Sequence, residues 1–174
     1  LEVRDGDIIH RIGVIDVPTF YVDFDARARG DSDYRSTTRD VRNLIAQMEH
    51  EGIDGLVIDL RGNGGGALAE ATALTGLFIP SGPVVQVRDS RGRIRVNHDL
   101  NDDLAYAGPL AVIVDRDSAS ASEIFSGAIQ DYERGLVIGE FTFGKGTVHN
   151  PLAVFYTHPR ALETRAELVC RSLL

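Results

Sequence analysis

Apolar residues recur at helical spacing in three stretches of the chain, and each stretch predicts an α-helix. Over 39–51 the recurring residues are Val41, Leu44, Ile45 and Met48. Cap candidates at 36–38 precede this stretch and Gly52 follows it, so both ends of the helix are also predicted. The same spacing predicts further helices over about 67–78 and 121–132.

Short runs rich in β-branched and other apolar residues predict strands between these helices. The runs are 8–17, 18–22, 55–60, 84–89, 93–96, 110–115, 135–140 and 152–157. Strands 55–60 and 110–115 each lead through a loop into a helix, and this repeated unit is typical of a mostly parallel sheet covered by helices. The fold class is therefore α/β. Both loops are expected at the carboxyl edge of the sheet, where such folds place their sites.

Composition limits the architecture and the partners of the chain. Its 174 residues, 43% of them hydrophobic, suffice for a single domain over 1–174. The net charge of -8, with no cluster of Lys and Arg, argues against nucleic-acid binding. Cys170 is the sole cysteine, which excludes an intrachain disulfide. No run is apolar over the roughly 18 residues of a membrane span. The start "LEVRDGD" resembles no signal peptide, so we expect a processed or excised piece.

Two glycine-rich loops match nucleotide-binding motifs only in part. "GNGGGA" at 62–67 fits the dinucleotide fingerprint, but the next acidic strand end, Asp89, lies 27 residues from Gly62 where about 20 are expected. "GEFTFGKG" at 139–146 resembles a phosphate-binding loop, but Gly146 stands where a hydroxyl would hold magnesium. Neither loop predicts a nucleotide site, and no metal-ligand pattern is present.

The stretch "DSASASE" at 117–123 has two compatible interpretations. Ser120 and Glu123 form a capping box that starts the third helix. The free N–H groups at a helix start can also hold a developing oxyanion, so a cap serine can serve as a nucleophile. The local pattern alone leaves both interpretations open.

Three segments in this order, "VIDLRGNGGG", "SASASEIFSGAIQD" and "GEFTFGKGTV", resemble the carboxyl-terminal processing peptidases, also called tail-specific proteases. The likeness extends from about Arg11 to Val148. The resemblance implies a crotonase-like α/β core with a serine and lysine dyad, and it requires no cofactor. Ser120 would be the nucleophile and Lys145 the general base, with the backbone N–H groups of Gly66 and Ala121 as the oxyanion hole.

The resemblance also implies roles for two further residues. Asp131, at the end of the serine helix, matches an aspartate that supports the family's site, although an acid in the last helical turn is equally typical of a surface residue. His149 stands where the family usually has glutamine, and in an extended segment it would share a face with Lys145 and orient its amine. Ser118 and Ser122 are expected to be turn and cap residues.

A lysine acts as a base only when its amine is neutral. An ordinary lysine is protonated at neutral pH, and burial among apolar groups favours the neutral form. The sequence places Phe141, Phe143 and Val148 near Lys145. We therefore expect an apolar setting for this amine.

The resemblance implies an endopeptidase that cleaves proteins near apolar carboxyl termini, located in the periplasm and able to form oligomers. The family's preceding PDZ module would be represented at most by 1–7, and 151–174 would be a divergent or truncated tail. Two alternatives stay open. One is a catalytically silent peptide-binding or scaffold domain, and the other is an acyl-CoA enzyme on the related crotonase architecture.

Overall fold

The computed structural model describes residues 1–149 and 165–169, with Val148, His149 and 165–169 described by their backbone. These residues form an α/β fold with four helices and nine strands. The helices are α1 (Phe24–Ala28), α2 (Thr37–His50), α3 (Leu68–Thr75) and α4 (Ala121–Asp131). The strands are β1 (Glu2–Asp5), β2 (Ile8–Asp16), β3 (Gly55–Asp59), β4 (Gly82–Arg88), β5 (Ile94–Asp99), β6 (Leu110–Val114), β7 (Leu136–Gly139), β8 (Thr147–His149) and β9 (Arg165–Val169).

The main sheet is mostly parallel and has the strand order β1-β2-β3-β6-β7. Strands β2, β3, β6 and β7 run parallel, and β1 pairs antiparallel with β2 at one edge. The second sheet, of order β5-β4-β9-β8, is antiparallel throughout. Because β3 and β6 are parallel neighbours, the loops that leave them emerge side by side at the carboxyl edge of the main sheet.

The core lies between the main sheet and the helices. Helix α3 contacts α2 on one side and α4 on the other, and both α3 and α4 contact β4 of the second sheet. Phe125 of α4 is fully buried, with its ring centroid 5.8 Å from that of Phe78 and 6.5 Å from that of Phe20. This aromatic cluster holds the serine helix against the segment that supports the glycine loop.

The predicted fold class, the three helices and the strands of the main sheet are confirmed, with boundary shifts of up to three residues. Two predictions of local structure were wrong. Residues 18–22 form only isolated bridges, because Phe20 pairs with Gly66 and Val22 with Ser36. The polar connection that follows contains α1, whose N-cap Asp23 accepts a hydrogen bond from the Ala26 N–H at 2.9 Å. Strand β1 was not predicted. The predicted strand 152–157 lies outside the described residues.

Candidate active site

Ser120 stands at the turn between β6 and α4 in a strained backbone conformation. Its φ is 57° and its ψ is -108°, values that a residue with a Cβ adopts rarely. Strain of this kind costs roughly 1–3 kcal/mol and persists only where the surrounding structure enforces it. Ser120 is half-buried, whereas Ser118 and Ser122 on either side are fully buried. Of the three alternating serines, only Ser120 is therefore partly accessible to solvent.

The glycine loop, which we define as residues 61–67, packs directly against Ser120. A Cβ at Gly65 would lie 2.8 Å from the Ser120 Cβ, and a Cβ at Gly66 would lie 2.2 Å from the Phe20 oxygen. Both glycines also have positive φ, of 105° and 147° respectively. Only glycine fits at these two positions, because any side chain would collide with the serine turn or with the backbone at Phe20.

The glycine loop is held on its other side by the segment at Thr19 and Phe20. The Gly65 carbonyl accepts hydrogen bonds from the Thr19 hydroxyl at 2.9 Å and from the Phe20 N–H at 3.0 Å. The Ala67 N–H donates to the Phe20 carbonyl at 2.8 Å. Buried Asn63 completes the loop, since its Oδ1 accepts from the Gly65 N–H at 2.8 Å. These bonds fix the backbone on both sides of Gly66.

Two backbone N–H groups beside Ser120 are available to a ligand. Within residues 1–149 and 165–169, neither the Gly66 N–H nor the Ala121 N–H donates a hydrogen bond. The first belongs to the glycine loop, and the second belongs to the first turn of α4, where helix N–H groups lack intrahelical acceptors. Since Gly65 touches Ser120, both groups lie near the serine. The arrangement can stabilise negative charge on an oxygen bound there.

Glu123 joins the start of the serine helix to the loop that carries Lys145. Its Oε2 accepts hydrogen bonds from the Ser120 N–H at 2.7 Å and from the Lys145 N–H at 2.9 Å. Its Oε1 accepts from the Thr142 hydroxyl at 2.8 Å and from the Gly144 N–H at 2.7 Å. The predicted contact of Glu123 with the helix start is confirmed. Its three contacts with residues 142–145 were missed, because nothing in the local spacing indicates a partner 19 to 22 positions away.

Replacing Glu123 by glutamine is expected to loosen the loop at 142–145. A glutamine amide has one oxygen where the carboxylate has two, so at least one N–H group of the loop faces another donor. We expect amide hydrogen exchange at 144–145 to accelerate at least about 10-fold. Glu133→Gln, the same change at the far end of α4, is the matched control. Unaltered exchange at 144–145 in Glu123→Gln would contradict this role.

Ser120 and Lys145 line the same cavity, whose volume is about 350 Å³. Its walls also include the apolar side chains of Val114, Ile124, Val137 and Phe141. An adjoining cavity of about 490 Å³ shares Val137 and Phe141 with it. The structure thus brings the two predicted dyad residues together beside a largely apolar space.

The expected apolar covering of Lys145 is not found among the described residues. Lys145 is exposed, and the neighbouring Phe141 and Phe143 are 95% and 66% exposed. The phenylalanines point away from the core because the loop is held by its backbone: the Phe143 N–H donates to the Ser118 carbonyl at 3.0 Å. Lys145 is also the only lysine in the sequence; the other basic residues of the Lys and Arg type are all arginine.

The two remaining predicted residues lie away from this group or have no described side chain. Asp131 is exposed at the end of α4, eleven residues and so about 16 Å along the helix from Ser120. It does not line the cavity. His149 ends β8, and Lys145 precedes that strand. The predicted roles of Asp131 and His149 remain predictions.

Arg61 and Asp59 form an ion pair where β3 ends. The guanidinium of Arg61 donates to both carboxylate oxygens of Asp59 and holds the pKa of that carboxyl below its ordinary value. Burial and a hydrogen bond to Asp40 raise the pKa of Tyr21 to about 12.

Over the described ranges, no three His, Cys, Asp or Glu side chains converge as metal ligands do. Nor does any helix there have the length and hydropathy needed to cross a bilayer.

Comparisons with known proteins agree with this site. Residues 11–164 match the peptidase family S41, a range that extends past Asn150. The tail-specific protease of Haemophilus influenzae is 51% identical over 137 residues, which are 79% of this chain and 18% of that protein. The chloroplastic C-terminal processing peptidase of Tetradesmus obliquus is 36% identical over 113 residues, or 65% of this chain and 24% of that protein.

A solved structure gives the same result in three dimensions. The photosystem II D1 C-terminal processing protease superposes with a TM-score of 0.66 at 34% identity, covering 80% of this chain and 33% of that one. The chain thus shares its mostly parallel α/β core with that processing protease. The chain belongs to peptidase family S41. It spans about a fifth to a quarter of the length of the two curated relatives.

Proposed function

We propose that this chain is the catalytic core of a serine endopeptidase that cleaves proteins near apolar carboxyl termini. The single observation that carries the proposal is the 350 Å³ cavity that Ser120 and Lys145 line together, beside the unoccupied N–H groups of Gly66 and Ala121. A nucleophile, a base and an oxyanion site are the groups that acyl transfer requires.

In the proposed reaction the Ser120 Oγ attacks the carbonyl carbon of the scissile peptide bond. The neutral amine of Lys145 takes the hydroxyl proton, and the carbonyl oxygen becomes an oxyanion held by the N–H groups of Gly66 and Ala121. The C–N bond then breaks, and the ammonium of Lys145 gives its proton to the leaving amine. Water attacks the resulting ester, with Lys145 again as base, and releases the new carboxyl terminus.

The identity of residue 145 supports the role of a base. An arginine guanidinium stays protonated in proteins, whereas a lysine amine can lose its proton. In a chain that otherwise uses only arginine, a lysine at this position is explained by a need for a removable proton. Because Lys145 is exposed, we propose that a bound substrate covers the cavity and excludes water from the amine.

The cavity walls support a preference for apolar side chains. Val114, Ile124, Val137 and Phe141 line it, and apolar walls bind apolar side chains by the hydrophobic effect. The bacterial relative is called a tail-specific protease, and we propose by resemblance a periplasmic location for the full protein.

The preference for apolar tails is tested with two reporter proteins that differ only in their last residues. We expect a reporter with an apolar tail to be cleaved at least about 10-fold faster than one with aspartate at the tail, with fragment masses that place the cut near the tail. Equal cleavage of both reporters would contradict the proposed specificity.

The alternative is a catalytically silent peptide-binding domain, and the exposure of Lys145 is the observation that favours it. The same pair of reporters separates the two functions. A silent domain would bind the apolar tail and leave it intact, whereas the proposed peptidase releases a fragment.

A further inference from the structure

Asp115 is a carboxylate that contacts both loops of the site. It follows β6 directly, and the Gly62 N–H donates to its two oxygens at 3.0 Å each. Its Oδ1 also accepts from the Asp117 N–H at 3.0 Å and from the Ser118 N–H at 3.1 Å. One side chain thus joins the glycine loop to the turn that leads to Ser120, which we define as the serine turn (115–120).

Three uncharged hydrogen bonds run parallel to this contact. The Ser118 hydroxyl donates to the Leu60 carbonyl at 2.8 Å. The Asn63 carbonyl accepts from the Ala119 N–H at 3.0 Å and from the Ser122 hydroxyl at 2.9 Å. Among the described contacts between these two segments, only the one made by Asp115 has a charged acceptor, so Asp115 contributes the charge-assisted link.

The protonation state of Asp115 suits this role. The hydrogen bond from the Gly62 N–H is the largest cause that lowers the pKa of this carboxyl, followed on the same side by the bonds from Asp117 and Ser118. The side chain therefore stays ionised at neutral pH, with both oxygens accepting. It accepts hydrogen bonds from three backbone N–H groups, those of Gly62, Asp117 and Ser118, which belong to the two loops.

One candidate oxyanion donor lies on the glycine loop, and the other directly follows the serine turn. The Gly66 N–H is four residues beyond Gly62 in the glycine loop, and the Ala121 N–H is one residue beyond Ser120. Donors stabilise an oxyanion only when both stand about 2.7–3.1 Å from the oxygen. A shift of one segment against the other changes this spacing without removing either donor.

We propose that Asp115 is a positioning residue for the oxyanion hole, which fixes the glycine loop against the serine turn through the Gly62 N–H. The proposal rests on the proposed peptidase function of Ser120. It assigns to Asp115 no contact with the substrate. Its effect is therefore expected on the transition state, where the oxyanion exists, and not on the binding of the ground-state peptide.

Asparagine is an informative replacement because it has the same shape. Gly62 N lies 3.0 Å from both side-chain oxygens, so either orientation of the amide places an NH₂ group 3.0 Å from the Gly62 N–H donor. The contact with the serine turn can persist while the contact with the glycine loop is weakened. Asp115→Ala removes both contacts. Asp117→Asn is the matched control, because it removes the same charge from an exposed side chain of the serine turn.

The test measures kcat, KM and the affinity for a peptide boronic acid, which mimics the tetrahedral intermediate, in the full-length protein. We expect Asp115→Asn to lower kcat and boronate affinity together, about 10- to 100-fold, with KM within about threefold of the wild type. Asp115→Ala is expected to lose more, and Asp117→Asn to match the wild type. Each rate is expressed per active site titrated, so that a smaller folded fraction does not imitate the effect.

Two outcomes would overturn the proposal, and they are distinguishable. If Ser120→Ala keeps wild-type turnover, the peptidase function fails and this inference fails with it. If Ser120→Ala abolishes turnover but Asp115→Ala keeps wild-type kcat and boronate affinity per active site, the inference alone fails. Equal losses in KM and kcat/KM with unchanged kcat would likewise exclude a role in the oxyanion hole.

Discussion

Lys145→Arg is expected to lower kcat for peptide cleavage about 10²- to 10⁴-fold, as much as Lys145→Ala does. General-base catalysis contributes roughly this factor, and an arginine keeps the positive charge of residue 145 but does not accept a proton at neutral pH. Lys145 is the sole lysine of the chain. The comparison of the two variants separates the loss of a base from the loss of a positive charge, because arginine retains the charge alone. Initial rates on the apolar-tailed reporter measure the effect.

The control for this substitution is an arginine-to-lysine exchange elsewhere. Arg95→Lys exchanges one positively charged side chain for another in β5, a strand of the second sheet. This variant is expected to leave kcat unchanged. If Lys145→Arg instead retained most of the turnover while Lys145→Ala did not, residue 145 would act as a fixed charge. That result would exclude the proposed proton transfer.

Ser120→Ala is expected to have the largest effect of any single substitution. Loss of a serine nucleophile has cost on the order of 10⁶ in kcat where it has been measured, and the groups of a dyad act as a unit. We therefore expect Ser120→Ala and the double variant with Lys145→Ala to be equally inactive. Ser90→Ala, in the exposed turn between β4 and β5, is the matched control.

The stability of these variants distinguishes catalysis from folding. Alanine keeps the Cβ that makes φ of 57° unfavourable, so Ser120→Ala retains the backbone strain and is expected to unfold near the wild-type midpoint. If Ser120→Ala is inactive but unfolds at the wild-type midpoint, the result supports the role of Ser120 as the nucleophile. Turnover by Ser120→Ala above about a hundredth of the wild-type rate would contradict it.

The sequence was most informative where structure depends on local periodicity. Val41 and Ile45 of α2 are buried as the helical spacing predicts, and Ser36 caps the helix through the Arg39 N–H. The loops after β3 and β6 meet at one sheet edge because parallel neighbouring strands require it. The motif resemblance then predicted that Ser120 and Lys145 belong to one site, and both line one cavity.

The sequence was least informative about contacts between distant residues. Asp115 and Gly62 are 53 positions apart, and Glu123 and Lys145 are 22 apart. Such hydrogen bonds follow from how strands and loops assemble, and no spacing within either segment indicates them. The environment of Lys145 was mispredicted for a related reason. Apolar neighbours in sequence do not cover a side chain when the backbone of their loop is held to the serine turn and its phenylalanines face outward.

Covalent labelling by a peptidyl fluorophosphonate, followed in rate and site, tests whether Ser120 is a nucleophile activated by Lys145. We predict that a single adduct forms, that peptide mapping places it on Ser120, and that Lys145→Arg lowers the labelling rate at least about 100-fold. An adduct on another residue, or a Lys145→Arg variant labelled as fast as the wild type, would contradict the account.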